Sequence, residues 1–187
     1  MRIVVVAVLA AGLGACATRD PYVSTAGAKR VGDWRVERQV DRVTGAPLSS
    51  ALLPTLESSN SAVLFSKPAV LQLTCFKDQP IVRFEFTFRI GSNRNSVLGY
   101  RFDDNPGREV EGRFLQDYKT VVIEDKDEVA QFVKELATAK MLYVRIRSLN
   151  AGRTAADFRV EGAPTAVEAA LAQCPIASEP PQRRASR

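Results

Sequence analysis

The chain has 187 residues, 45% hydrophobic and 25% charged, with a formal net charge of +5 and no histidine. That length suits one domain with a sizeable core, and the lack of histidine excludes Ser-His-Asp triads, most zinc centres and the commonest general base. Arg2 and the C-terminal segment carry three of the five net charges, so no basic stripe remains of the kind a nucleic-acid partner requires.

Residues 1–15 hold one positive charge, Arg2, then an apolar run over residues 3–9 and a small-residue region ending Leu13-Gly14-Ala15-Cys16. A segment so short with those flanks reads as a secretory signal peptide and not as a spanning helix. Its last four residues resemble the lipobox of bacterial lipoproteins, which implies cleavage before Cys16 and lipidation of that residue. Several acyl chains hold a protein where one is marginal, because each buried CH₂ contributes about 0.8 kcal/mol. Ala17 follows the cysteine where that family uses Asp for inner-membrane retention, so the resemblance implies an outer-membrane anchor facing the periplasm. The alternative is an ordinary signal peptide with an incidental cysteine.

Residues 16–31 are small and polar, the composition of a flexible tether from the lipidated cysteine. Residues 32–176 are the expected β-rich periplasmic domain, and residues 177–187, ASEPPQRRASR, have the composition of a disordered basic tail.

Within the domain, residues 33–40 predict a strand with Trp34, Val36 and Arg38 on one face, broken by Gly45 and Pro47. Residues 52–58 predict a strand that Pro54 confines to an edge. Residues 58–61 predict a turn, and residues 63–65 are too short to assign. The central feature is residues 71–88, two strands joined by a Lys77-Asp78-Gln79-Pro80 turn. Val82, Phe84, Phe86 and Phe88 alternate there with Arg83, Glu85, Thr87 and Arg89, giving a half-buried antiparallel strand. Leu71, Leu73 and Cys75 form the inward row of its partner, and Val70 and Phe76 imply cover on the opposite side.

Further along, Leu98, Tyr100 and Phe102 mark a strand, and Asn105-Pro106-Gly107 predicts a type II turn with positive φ at Gly107. Val110, Gly112 and Phe114 predict the return strand, and residues 119–124 another. At Asp125 the period changes: Val129, Phe132, Val133 and Leu136 share one face of a helix expected over residues 126–139, opened by an Asp125/Glu128 capping box. Leu142, Val144 and Ile146 predict a strand, as do residues 156–160. Pro164 then opens a last helix with Val167, Leu171 and Cys174 on one face. The fold class is mainly β (α+β): an antiparallel, two-sheet, sandwich-like domain with two late helices at one edge or end.

Cys16, assigned to lipid, leaves Cys75 and Cys174 as an even pair, expected to form a disulfide in an oxidising periplasm. Two separately buried thiols are the alternative. No Gly-x-Ser-x-Gly elbow, Ser-x-x-Lys motif or Cys-x-x-Cys motif occurs, so no catalytic residue, metal site or cofactor is expected. Two constellations remain. Asp103-Asp104-Asn105 offers clustered oxygens for calcium, although turns routinely collect Asp and Asn. Arg83, Arg101, Arg145 and Arg147, with Arg89 and Arg159, occupy outward rows; were their strands neighbours, they would present a surface for carboxylates or phosphates. The alternative is a solvated face paired with Glu85, Asp103, Asp157 and Glu161.

The order Trp34, ALLPTLESSN, Leu71-Gln72-Leu73-Thr74-Cys75, Gly99-Tyr100-Arg101-Phe102-Asp103, the helix, Tyr143-Val144-Arg145, Ala156 to Gly162 and a final Ala-rich helix ending in Cys174 resembles the periplasmic type VI secretion accessory proteins called TagO or VasI. It covers about residues 33–175 and implies that family's fold, its disulfide and an accessory role in secretion. From the residues, the expected function is a non-enzymatic, outer-membrane-anchored lipoprotein. Its domain would bind or scaffold an envelope protein or a peptidoglycan or lipid A component. A small enzyme using carboxylates or serine is the other class.

Overall fold

The computed structural model describes residues 23–92, 96–174 and 176. The signal segment, Cys16 and the C-terminal tail at residues 177–187 lie outside the described residues. Twelve strands and two helices are described: β1 Val23–Val31, β2 Trp34–Asp41, β3 Pro47–Pro54, β4 Glu57–Asn60, β5 Ala69–Phe76, β6 Gln79–Phe86, β7 Ser96–Phe102, β8 Arg108–Val110, β9 Arg113–Phe114, β10 Thr120–Ile123, α1 Lys126–Leu136, β11 Met141–Ser148, β12 Gly152–Arg159 and α2 Ala163–Leu171. They build two antiparallel sheets, β1-β2-β3-β5-β6-β10-β9 and β4-β12-β11-β7-β8. No described helix is long and apolar enough to cross a membrane.

Strict alternation makes each strand amphipathic. Val82, Phe84 and Phe86 of β6 and Leu71, Leu73 and Cys75 of β5 turn inward from the larger sheet; Leu98, Tyr100, Phe102, Leu142, Val144, Ile146, Ala156 and Phe158 turn inward from the smaller. Phe84 and Phe158, one from each sheet, meet with ring centroids 6.1 Å apart. Helix α1 inserts Phe132 between them, 6.1 Å from Phe84, 5.0 Å from Tyr100 and 5.1 Å from Phe102. Helix α2 packs across β2, β3 and β5, presenting the small faces of Ala163, Ala166 and Ala170. Cys174, just beyond α2, is bonded to Cys75 with Cα atoms 5.8 Å apart.

The structure corrects several local expectations. Residues 23–31, expected within the tether, form β1, paired along β2 with a bulge between Thr25 and Gly27. No apolar row advertises this strand, because residues 25–30 are exposed on both faces. Pro54 does not make β3 an edge strand. It is the last residue of a strand lying between β2 and β5, where a missing N–H interrupts little of the ladder. Residues 58–60, expected as a turn, belong to β4, with Ser58 and Asn60 buried.

The central hairpin turns on Lys77 and Asp78 alone, both at positive φ, while Gln79 and Pro80 already pair with Phe76 and Cys75. Pro80 is tolerated because β10 reaches β6 only over Val82 to Glu85. Phe76 is 57% exposed, so nothing described covers that side of β5 at this end. After β7 the left-handed residue is Asp103 and not Gly107, and the amide of Asn105 closes the turn on the carbonyl of Phe102. The expected return strand is two: β8 stays with β7, the chain crosses at Gly112, and β9 joins the other sheet. A Cβ at Gly112 would lie 2.7 Å from Val121, so the crossing needs glycine. Helix α1 stops at Leu136, short of the expected residue 139.

Candidate functional site

The strand register settles which arginines meet. Arg101 on β7 lies opposite Tyr143 on β11, Arg145 opposite Gly99, and Arg147 opposite Val97 on β7 and Arg153 on β12. Because Leu142, Val144 and Ile146 turn inward, these residues share the outer face of the smaller sheet. Arg159 stands on the same face, opposite Met141. Arg83 does not join them: it sits on β6, on the outer face of the other sheet, 2.8 Å from Glu85. Arg89 lies 4.7 Å over the Tyr118 ring and donates to the carbonyl of Gly91.

On the gathered face, Arg145 and Arg147 both donate to Oε1 of Glu109, at 2.7 and 2.8 Å. All three side chains are about half exposed. Two guanidiniums with ten N–H donors between them thus face one carboxylate and retain unfilled donors and one net charge. Arg101 stacks its guanidinium 4.9 Å over the Tyr143 ring, a cation–π contact that fixes the group while leaving its edge open. Gly99 and Ala155 flank Arg145 in the central row, and their lack of bulk opens a shallow depression of about 650 Å³ among Arg101, Tyr143, Arg145 and Asp157.

The opposite margin is acidic. Asp157 pairs in register with Glu57 across β12 and β4, a like-charge pairing that destabilises a sheet. Burial first, and the neighbouring Glu57 second, raise the Asp157 carboxyl above the usual aspartate range. The central part of the face is therefore bipolar, with Arg101 of β7 and Arg145 and Arg147 of β11 on one side and the Asp157–Glu57 pair on the other, while Arg153 and Arg159 stand at the two ends of β12.

At the β8 edge of this sheet a second polar group is partly exposed. Arg108 reaches towards Glu128 and Glu135 at 3.9 and 3.8 Å. Burial, then Glu135, pushes the Tyr100 hydroxyl up to about 12. This cluster docks α1 on the sheet. The Asp103 carboxylate is equally committed: it accepts from the backbone amides of Lys140 and Met141 at 2.8 to 3.2 Å, tying the β7 turn to the start of β11. Asp125 caps α1 by accepting from Asp127 and Glu128 amides, both at 3.0 Å.

The charge partners differ from those expected of a solvated face: Glu85 does pair with Arg83, but Glu109 serves Arg145 and Arg147, and Asp103 binds backbone. Sequence reading missed Glu109, Gly99 and Ala155. The signal for Gly99 was present, since a glycine inside a strand marks close approach; its added Cβ would stand 3.5 Å from Arg145. Comparison of the chain with protein-family models, curated proteins and solved structures gives no match.

Proposed function

We propose that this is a non-enzymatic lipoprotein, exported and anchored through Cys16 to the outer membrane, whose periplasmic domain captures another envelope component on the outer face of the smaller sheet. The observation that carries the reading is the depression floored by Gly99 and Ala155 and lined by Arg101 and Arg145, with Arg147 on the same face sharing Glu109 with Arg145. Guanidiniums with spare donors suit carboxylates and phosphates. The acidic margin at Asp157 and Glu57 favours a ligand that also carries an amine, and a peptidoglycan stem peptide has both groups. A sequence without histidine supports binding in place of catalysis.

The test is retention on purified peptidoglycan sacculi. The chain should sediment with them, and Arg101→Gln, Arg145→Gln and Arg147→Gln together should abolish sedimentation while leaving the unfolding transition in place. Unchanged retention by the triple variant would overturn the assignment. A type VI secretion accessory role is a second reading, favoured by the Cys75–Cys174 bridge that joins the two cysteines of the family pattern; crosslinking to a secretion component in cells would support it.

A further inference from the structure

At one end of the smaller sheet, two turns are bound together. The Ser61 amide donates to the carbonyl of Arg153 at 2.9 Å, the Arg153 amide to Ser61 Oγ at 2.9 Å, and Asn60 Nδ2 to the carbonyl of Ala151 at 2.8 Å. Ser66 Oγ donates to the carbonyl of Ser58 at 2.6 Å, and the Lys67 amide reaches the same carbonyl at 3.1 Å. Val63 packs against the core, holding the turn down. On this braced platform the large apolar side chains point away: Leu64 is 92% exposed, Phe65 73% and, on the β11–β12 turn, Leu149 87%. The hydrogen bonds make the turn without them, so their exposure is not a by-product of folding.

From the Glu57–Asp157 pair onward to the tips, the charges are of one sign. Residues 58–68 and 145–156 contain Lys67, Arg145, Arg147 and Arg153 and no carboxylate. Glu109 neutralises only the Arg145 and Arg147 side, and among the described residues no ion pair engages Lys67 or Arg153. Leu and Phe at the apex with uncompensated cations behind them match the layering of an anionic membrane surface, where acyl chains lie beneath a sheet of phosphates. A protein partner of ordinary composition would need acidic groups ringing an apolar pocket, whereas a lipid surface supplies both layers everywhere.

We propose that the paired turns carrying Leu64, Phe65 and Leu149 dip into the interface of an anionic phospholipid bilayer, with Lys67 and Arg153 on the phosphates. The contact is separate from the arginine face and from any lipid on Cys16.

The test uses the full chain with Phe65→Trp as a local reporter, beside the buried Trp34, on vesicles of phosphatidylglycerol and phosphatidylethanolamine bearing brominated acyl chains. Tryptophan at 65 should shift to the blue and be quenched, whereas Phe76→Trp, on a different hairpin, should not. Lys67→Gln with Arg153→Gln should weaken insertion about twenty-five-fold, at roughly fivefold per cation near an anionic surface, and phosphatidylcholine vesicles should give little quenching. Leu64→Ser with Leu149→Ser provides a second variant at exposed positions and should also reduce quenching of the reporter. Water-like, unquenched emission from residue 65 on every vesicle would overturn the proposal, whether the tips then face solvent or a protein. Quenching that is indifferent to the two cations would overturn the anionic-surface assignment.

Discussion

Gly32 and Gly162 stand back to back. A Cβ on Gly32 would lie 2.3 Å from the carbonyl oxygen of Glu161, and one on Gly162 would lie 2.7 Å from that of Val31. Both residues are left-handed, at φ +58° and +86°, so each is glycine for two reasons, conformation and space. This contact docks the β1–β2 turn on the junction between β12 and α2, beside the hydrogen bond from Asp33 to Glu161. Gly32→Ala and Gly162→Ala should each destabilise by at least about 1 to 3 kcal/mol from backbone strain alone, with the clash added. Urea midpoints of the two variants measure this. A midpoint within error of the parent for either would show that the turn and the junction are not in contact.

The Cys75–Cys174 bond spans 99 residues of sequence and joins the end of β5 to the end of α2. In the chain-entropy picture a closed loop of that length stabilises by roughly 4 to 5 kcal/mol. Thiol titration of denatured, unreduced protein should find neither of these two sulfurs free. Reduction, or Cys75→Ala with Cys174→Ala, should lower the urea midpoint by the corresponding amount without changing the far-ultraviolet circular dichroism. Retention of the full midpoint after reduction would mean that packing of α2 on β2, β3 and β5 suffices.

The strong periodicities were legible in the sequence for a physical reason. Phe84 and Phe86, or Val129, Phe132 and Leu136, are buried because their spacing leaves one apolar face, so the two sheets and two helices follow from it, whereas the disulfide followed from the count of cysteines. Polar strands carry no such mark. Strand β1 is held through β2 by backbone hydrogen bonds, and β4 buries Ser58 and Asn60 through bonds to the Lys67 and Ala151 carbonyls. Only tertiary placement shows either. Half the candidate site was readable for the same reason: alternation puts Arg101, Arg145 and Arg147 outward, but nothing local says that β7 and β11 are neighbours, or that Arg83 lies on the other sheet.

Phe132 touches both sheets and is fully buried, so its removal opens a void that neither sheet can close alone. Phe132→Ala should cost about 3 to 5 kcal/mol, read from chemical unfolding. The neighbouring Lys134, on the exposed side of α1, is the control; its replacement by Ala should change stability by less than about 0.5 kcal/mol. A loss under about 1 kcal/mol for Phe132→Ala would detach α1 from the core.

The Asp157–Glu57 pairing gives the domain a pH dependence of known sign. Burial, followed by Glu57, raises the folded-state carboxyl of Asp157 above the ordinary aspartate value, so the folded chain binds that proton more tightly than the unfolded one. Such a group favours folding most below its unfolded value; the benefit fades as pH rises through the folded value and is gone at neutral pH. Asp157→Asn should therefore raise the melting temperature at pH 7, by the equivalent of no more than about 0.5 kcal/mol for a partly solvated site, and leave it unchanged or lower near pH 3. Melting curves of parent and variant across that range decide the matter. If an amine-bearing ligand occupies this margin, its cation should offset the repulsion, so saturating ligand should narrow the difference between Asp157→Asn and parent at pH 7. A variant that melts below the parent at neutral pH would mean that Asp157 is engaged by a cation in the free protein, and the bipolar reading of the face would fail with it.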